Sequence, residues 1–194
     1  MQTDEISALL EGLKNDDQEA FDRLFRLFYR RLLKFARQFL SVPQDAEDAV
    51  SVFFIRLWQK RKDLPAVRYP ETYFYTAVKN TCLNYKRAHK LKMITGVDGD
   101  AAAHQPAESK ELQRLLQRAV QALPLQRRLI FMLVKEDGLK CREVAEILNL
   151  SVRTVESQLY KAVKTLAGEI SSHLGYNPQK NRAGGGRAIV LLLM

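Results

Sequence analysis

Five side chains between residues 151 and 162 carry groups suited to reading DNA. Arg153 brings a guanidinium, Thr154 and Ser157 hydroxyls, Gln158 an amide and Lys161 an ammonium. Interleaved with them, Val152, Val155, Leu159 and Ala162 recur at spacings of three and four, the pattern of a helix with one apolar side. The apolar set must face the protein, which leaves the polar set outward. A short helix that offers such donors and acceptors from its first turns has the chemistry for contacting base edges in a major groove. The same pattern also suits a plain helical hairpin inside a bundle.

The preceding residues are built to hold that helix. Lys140 to Leu148 places Val144, Ala145 and Leu148 on one side at helical spacing. Asn149 tolerates the left-handed conformation of a tight turn, and Ser151 suits the N-cap of the next helix.

A second constellation runs from Arg61 to Arg87. Helical spacing sets Phe74, Ala77, Val78, Thr81 and Tyr85 inward and aligns Thr76, Asn80, Asn84 and Arg87 on an adjacent polar face, with Tyr75, Lys79 and Lys86 beside it. Upstream lie Arg61, Lys62, Arg68, Tyr69 and Tyr73. Cations that track phosphates, interleaved with rings that stack on bases, are the chemistry of single-stranded nucleic-acid binding. Stacking is worth about 1–3 kcal/mol per base, enough to offset the cost of taking a base out of a duplex. Tyrosines filling core positions beside merely solvated lysines would produce the same pattern, and both readings stay open at this point.

Asp45, Glu47 and Asp48 fall in the first turn of another expected helix, where they complement its dipole. No histidine, serine nucleophile or metal ligand joins them, so no catalytic residue is assigned and the chain is not expected to be an enzyme. A protein-docking edge fits better, with an exposed Phe54 or Trp58 as its apolar anchor.

The elements that position these groups are helical throughout. Strand signals are nearly absent. Asp17 is expected to cap a long helix with a seam of Phe21, Phe25, Phe28, Leu32, Phe35 and Phe39, interrupted by Pro43. Asp45 to Leu57 follows, with Ala46, Ala49, Val50, Phe53 and Leu57 inward, then a helix from Pro70 to about Arg87. With a weaker helix near Ile6 to Leu13, these make an N-terminal bundle over 1–95. Residues 96–111 hold Gly96, Gly99, Pro106 and three consecutive alanines and have no amphipathic face, so they read as a flexible linker. That linker carries net charge −3 between flanks of +5 and +4. Helix resumes near Ser109, breaks at Pro124, runs through Leu129, Ile130, Leu133 and Val134, and stops at Gly138. The helix-turn-helix completes a C-terminal module over 112–175, and 176–194 reads as a flexible tail.

The fold class expected is therefore all-α, two small helical domains joined by a flexible acidic linker. The chain has 194 residues, with 31 Lys and Arg against 22 Asp and Glu, so its +9 charge favours a polyanionic partner. Cys82 and Cys141 are far apart and expected to be buried free thiols in a reducing cytosol. His89, His104 and His173 are not spaced with carboxylates as metal ligands, so no metal or cofactor is expected. No signal pattern opens the chain. The longest apolar run, Ala188 to Met194, is far below the ~20 residues that cross a bilayer, so no membrane insertion is expected and a cytoplasmic location is.

Together these blocks resemble the extracytoplasmic-function sigma factors of the sigma-70 family. Asp45-Ala46-Glu47-Asp48-Ala49-Val50 with Phe54-Ile55-Arg56-Leu57-Trp58 is similar to their second conserved region. Tyr73-Phe74-Tyr75-Thr76-Ala77-Val78-Lys79-Asn80 through Arg87 is similar to their promoter-melting helix. Ala122-Leu123-Pro124, Arg127-Arg128, Phe131, Gly138, Glu143-Val144-Ala145 and Ser151 to Glu156 are similar to their fourth region. Two departures stand out: Ser51 and Val52 occupy positions where many members carry a Gln-Glu pair, and Asn149 replaces the commoner glycine.

The resemblance implies two domains that bind core RNA polymerase and bring it to promoter DNA. Asp45, Asp48, Phe54 and Trp58 would dock on a coiled coil of the largest polymerase subunit. Lys79, Asn80, Asn84 and Arg87, with Lys62, Arg68 and Tyr69 of the preceding loop, would engage and melt the minus-ten element. Arg153, Thr154, Ser157, Gln158 and Lys161, helped by Arg142, would read the minus-thirty-five element as duplex. The acidic linker would thread through the polymerase, and an anti-sigma protein would mask the factor. Two other classes fit parts of the pattern. One is a stand-alone helix-turn-helix regulator with an N-terminal sensor or dimerisation bundle. The other is a bundle enzyme with a metal or carboxylate site, which lacks the ligands.

Overall fold

The computed structural model describes residues 2–65, 67–94 and 111–173, and their regular structure is helical throughout. The chain divides into two compact units, Met1–His104 and Gln105–Met194. The tail expected over 176–194 lies outside the described residues, as does the expected linker except Glu111, which opens a helix.

In the N-terminal unit, α1 (Gln2–Lys14) and α2 (Gln18–Ala36) meet at a tight corner. Asp16 there has φ 64°, and the Asp17 N–H donates to the Gly12 carbonyl at 3.1 Å. A Cβ on Gly12 would stand 3.1 Å from the Ala20 Cβ, so any larger residue would have to push this close approach of α1 and α2 open by a few tenths of an ångström. Asp17 caps α2 as expected, its Oδ1 accepting from the backbone N–H of Glu19 at 2.8 Å and of Ala20 at 3.2 Å.

The inner stripe of α2 is Ala20, Leu24, Phe28, Leu32, Phe35 and Ala36. This corrects the expected phenylalanine seam. Phe28, Leu32 and Phe35 belong to it, but Phe21 and Phe25 lie one residue, about 100° of helix turn, to its side. Phe39 follows the end of the helix and packs edge-on against Phe35.

Helix α3 (Pro43–Gln59) begins at the proline rather than after it, because a first-turn proline gives up no helical hydrogen bond. Its inward set, Ala46, Ala49, Val50, Phe53 and Leu57, is buried as expected. Helix α4 (Pro70–Ile94) runs two turns beyond the expected end at Arg87. Phe74 is its hub, with ring centroids 4.9 Å from Phe28 and 5.2 Å from Phe53, both edge-to-face. Tyr75, placed by the sequence beside a polar face, is instead fully buried, edge-on to Phe35 at 5.0 Å. The side chains of Arg31 and Glu71 tie α2 to the start of α4 at 3.0 Å.

The C-terminal unit contains α5 (Glu111–Ala122), α6 (Leu125–Phe131) extended by a π-helical turn (Met132–Glu136), α7 (Cys141–Leu148) and α8 (Val152–His173). Ala119 and Val120 of α5, with Leu123 just after it, close on Phe131, Ala162 and Leu166. The chain turns at Gly138, whose φ of +76° favours glycine. In α7 the buried positions are Val144, Ala145 and Ile147; the expected Leu148 is only half-buried. Asn149 adopts φ 56° and ψ 49°, the left-handed stop expected of it. Ser151 Oγ accepts from the Thr154 N–H at 3.0 Å and so caps α8.

Two outcomes follow from this packing. Ser151→Ala should remove the α8 cap and lower unfolding free energy by about 1 kcal/mol, read from urea melts of the full chain. Cys82 is buried, and that burial pushes its thiol up to about 12. Since the thiolate is the reactive form, iodoacetamide at pH 8 should leave Cys82 unlabelled in the native protein and modify it once urea unfolds the chain. Fast native labelling of Cys82 would contradict the packing. Cys141 is half-buried, not buried as expected, and its thiol is raised by desolvation and then by the Glu156 charge.

Candidate nucleic-acid interface

The three-residue turn Asn149–Leu150–Ser151 ends α7 and leads into α8. Arg153, Ser157 and Lys161 are exposed along it, and Arg142 is exposed in the first turn of α7. The other two expected readers are partly occupied. Thr154 is half-buried, with its hydroxyl 2.7 Å from that of Ser151. Gln158 Oε1 accepts from Arg127 Nε of α6 at 2.9 Å, which ties its amide to the unit itself.

Val152 corrects the expectation that it faces the protein: at the first residue of α8 it is 40% exposed, and the covered stripe starts with Val155. Tyr160 was not among the expected readers and is 69% exposed on the same side as Arg153 and Ser157. Its place one turn beyond Ser157 and two turns beyond Arg153 in the helical pattern is the signal that could have found it.

On α4, Tyr73, Ala77, Asn80 and Asn84 follow at spacings of four and three and form one wall of a cleft. The cleft is about 250 Å³, and its opposite wall is α3, with Arg56 and Lys60. Asn80, Asn84 and Arg87 are exposed as expected. Arg56 and Lys60 were not singled out from the sequence. Their i, i+4 spacing puts them on one face of α3, but only the packing of α3 on α4 brings that face to the asparagines.

Lys79 corrects the expected set. It is 9% exposed, and burial pulls its ammonium below the ordinary lysine range, so it is no surface cation for phosphate. In the loop before α4, the Arg68 guanidinium stacks 5.5 Å over the exposed ring of Tyr69. Lys62 is exposed but paired with Asp16 at 2.8 Å. Arg61 also binds Asp16 and lies 4.2 Å over the Trp58 ring. Hydrogen bonds from Lys62 and Arg61 hold the Asp16 carboxyl below the usual range. Both cations are thereby fixed to the corner between α1 and α2.

The expected docking edge on α3 is rearranged. Phe54 is 3% exposed and packs on Phe21, Phe25 and Phe53, so it is no free anchor. It floors an open groove of about 570 Å³ between α2 and α3, where Phe25 and the 54%-exposed Ile55 stand at the surface and Trp58 is half-buried. Asp48 is half-buried and accepts from Gln44 Nε2 at 3.0 Å. Asp45 lies 3.0 Å from His89 Nε2, which joins the start of α3 to the later turns of α4. Among the described residues no three His, Cys, Asp or Glu form a group fit for a metal ion, and no helix is long and apolar enough to cross a membrane.

Residues 24–91 match the family Sigma-70 region 2, and residues 113–166 match Sigma-70, region 4. Together the two matches span more than half of the chain. The RNA polymerase sigma-E factor of Streptomyces avermitilis is 26% identical, over 78% of this chain and 86% of its own length. The ECF RNA polymerase sigma factor SigW of Bacillus subtilis is 23% identical, over 85% and 96%. Among solved structures, the sigma factor RpoE of Bartonella quintana, in complex with the anti-sigma factor NepR, superposes with a TM-score of 0.61 at 22% identity, over 78% of this chain and 96% of that one. CnrH in complex with the cytosolic domain of CnrY gives 0.59 at 20% identity, over 87% and 98%. With region 2 on the unit that bears the α3–α4 cleft and region 4 on the unit that bears the helix-turn-helix, the chain belongs to the sigma-70 family of RNA polymerase sigma factors, in its extracytoplasmic-function group, and acts as an alternative sigma factor in transcription initiation.

Proposed function

We propose that the two units divide promoter recognition between them while core RNA polymerase performs the chemistry. The C-terminal unit binds the upstream element as duplex, with Arg153, Ser157 and Lys161 of α8 directed at the major groove and Arg142 at the backbone. The N-terminal unit holds the melted downstream element. There Asn80 and Asn84 take hydrogen bonds from unstacked bases, Arg56, Lys60 and Arg87 neutralise phosphate, and Tyr69 and Tyr73 offer stacking surfaces. The chain itself is not catalytic in this reading and works in the cytoplasm.

The observation that carries the reading is the order of two matched regions, each on a unit with an exposed polar stripe beside a packed apolar one. A stand-alone dimeric regulator would need the region 4 unit alone and gives the α3–α4 cleft no task. Docking on the polymerase falls to the α2–α3 side of the N-terminal unit, where Ile55 and Trp58 flank the apolar groove and Asp45 and Asp48 lie on α3. One structurally similar sigma factor, RpoE of Bartonella quintana, is held by the anti-sigma factor NepR. We extend that mode of control to this chain and assign its masking partner to the same class.

Run-off transcription with purified core polymerase and a library of genomic fragments tests the proposal. Promoter-specific transcripts should appear only when the chain is added; their absence across the library would overturn it. Arg153→Ala should weaken binding at the upstream element, with about 1–3 kcal/mol of base discrimination lost if the guanidinium makes a bidentate guanine contact. Asn80→Ala should leave closed-complex binding near wild type and reduce permanganate-reactive, melted promoter. Equal loss of both steps in both variants would refute separate roles.

A further inference from the structure

Glu156 is the one acidic residue between 152 and 162, and it is exposed. Arg153 lies one turn before it and Tyr160 one turn after, both also exposed. Its carboxylate makes no hydrogen bond or ion pair with any described residue. Its charge contributes, after desolvation, to raising the Cys141 thiol at the start of α7. That helix start has no need of it, since the Glu143 carboxylate already accepts from the Lys140 N–H at 2.7 Å.

An acid carried into a polyanion's groove weakens binding to every sequence unless it meets a donor there. In the major groove the base-edge donors are the amino groups of cytosine and adenine. Adenine sets its N7 acceptor beside N6, where it repels the second carboxylate oxygen, while guanine turns O6 and N7, both acceptors, toward the acid. Cytosine is the base that welcomes a carboxylate.

We propose that Glu156 selects a cytosine in the upstream element by accepting a hydrogen bond from its N4 amino group. This rests on the reading that α8 enters the major groove of promoter DNA. The carboxylate converts a uniform electrostatic penalty into discrimination at one base pair, and its neighbours Arg153 and Lys161 supply the attraction that offsets it elsewhere.

The test uses holoenzyme assembled from core polymerase and the full chain, on a promoter from the run-off screen. Each upstream-element position is changed to all four bases. Wild type should show one position at which cytosine is favoured by about 5- to 150-fold. Glu156→Gln should shift preference at that position toward adenine, whose N6 and N7 suit an amide, and Glu156→Ala should abolish it. The other positions should keep their profile in both variants. A uniform rise in activity on every sequence, with an unchanged profile, would show a bystander acid and overturn the inference while the duplex reading stands. Wild-type activity indifferent to every upstream substitution would overturn the duplex reading, and this inference with it.

Discussion

Small helical units have little apolar area to spare, so each helix must give up one continuous stripe to its unit's core before any residue is left for a partner. That constraint governs every functional surface here. Phe74 at the centre of the N-terminal unit touches Phe28 of α2 and Phe53 of α3, so three helices converge on one ring. Tyr75 and Lys79 sit on the covered side of α4 as a consequence. The surface left over is the Asn80–Asn84–Arg87 stripe, the side of the helix that α3 leaves open.

Polar groups meet a parallel constraint. Several cations and amides that look available in a list of residues are spent inside their own units. Arg61 and Lys62 are bound to Asp16, Gln158 to Arg127, and Thr154 to the Ser151 cap. These contacts restrain side chains whose ordering on binding would otherwise cost entropy. They also narrow the proposed reading set of α8 to the exposed Arg153, Ser157, Lys161 and two residues beside them, Glu156 and Tyr160. A net positive chain thus presents a mixed, patterned face on α8, which suits sequence discrimination better than uniform charge does.

In the proposed division of labour the two units call for different chemistry because their ligands differ. Duplex DNA presents base edges in a groove, and a helix with short polar side chains reaches them. Unpaired bases present faces and free Watson–Crick edges, and a cleft with amides on one wall and cations on the other suits those. The tyrosines at its rim add stacking area. Such a division needs both units on one chain, since each alone supplies part of the binding energy and part of the specificity.

Local rules already determine much of this protein from its residues. Helix type follows from periodicity, the Asp17 and Ser151 caps from their hydrogen-bonding oxygens, and the Asn149 stop from tolerance of positive φ. The inward stripe of α3 and the exposure of Arg153, Ser157 and Lys161 were legible in the same way. Tertiary packing decided what periodicity leaves ambiguous by one residue in rotation. It buried Phe54, Tyr75 and Lys79, released Val152 and Tyr160, and brought Arg56 and Lys60 opposite Asn80. A helix has a polar side and an apolar side by sequence alone, but the boundary residues between them take whichever side their neighbours leave uncovered. The partners of Gln158 and of Asp45 were unreadable for the same reason: Arg127 and His89 are far off in the chain and near only once separate helices have packed.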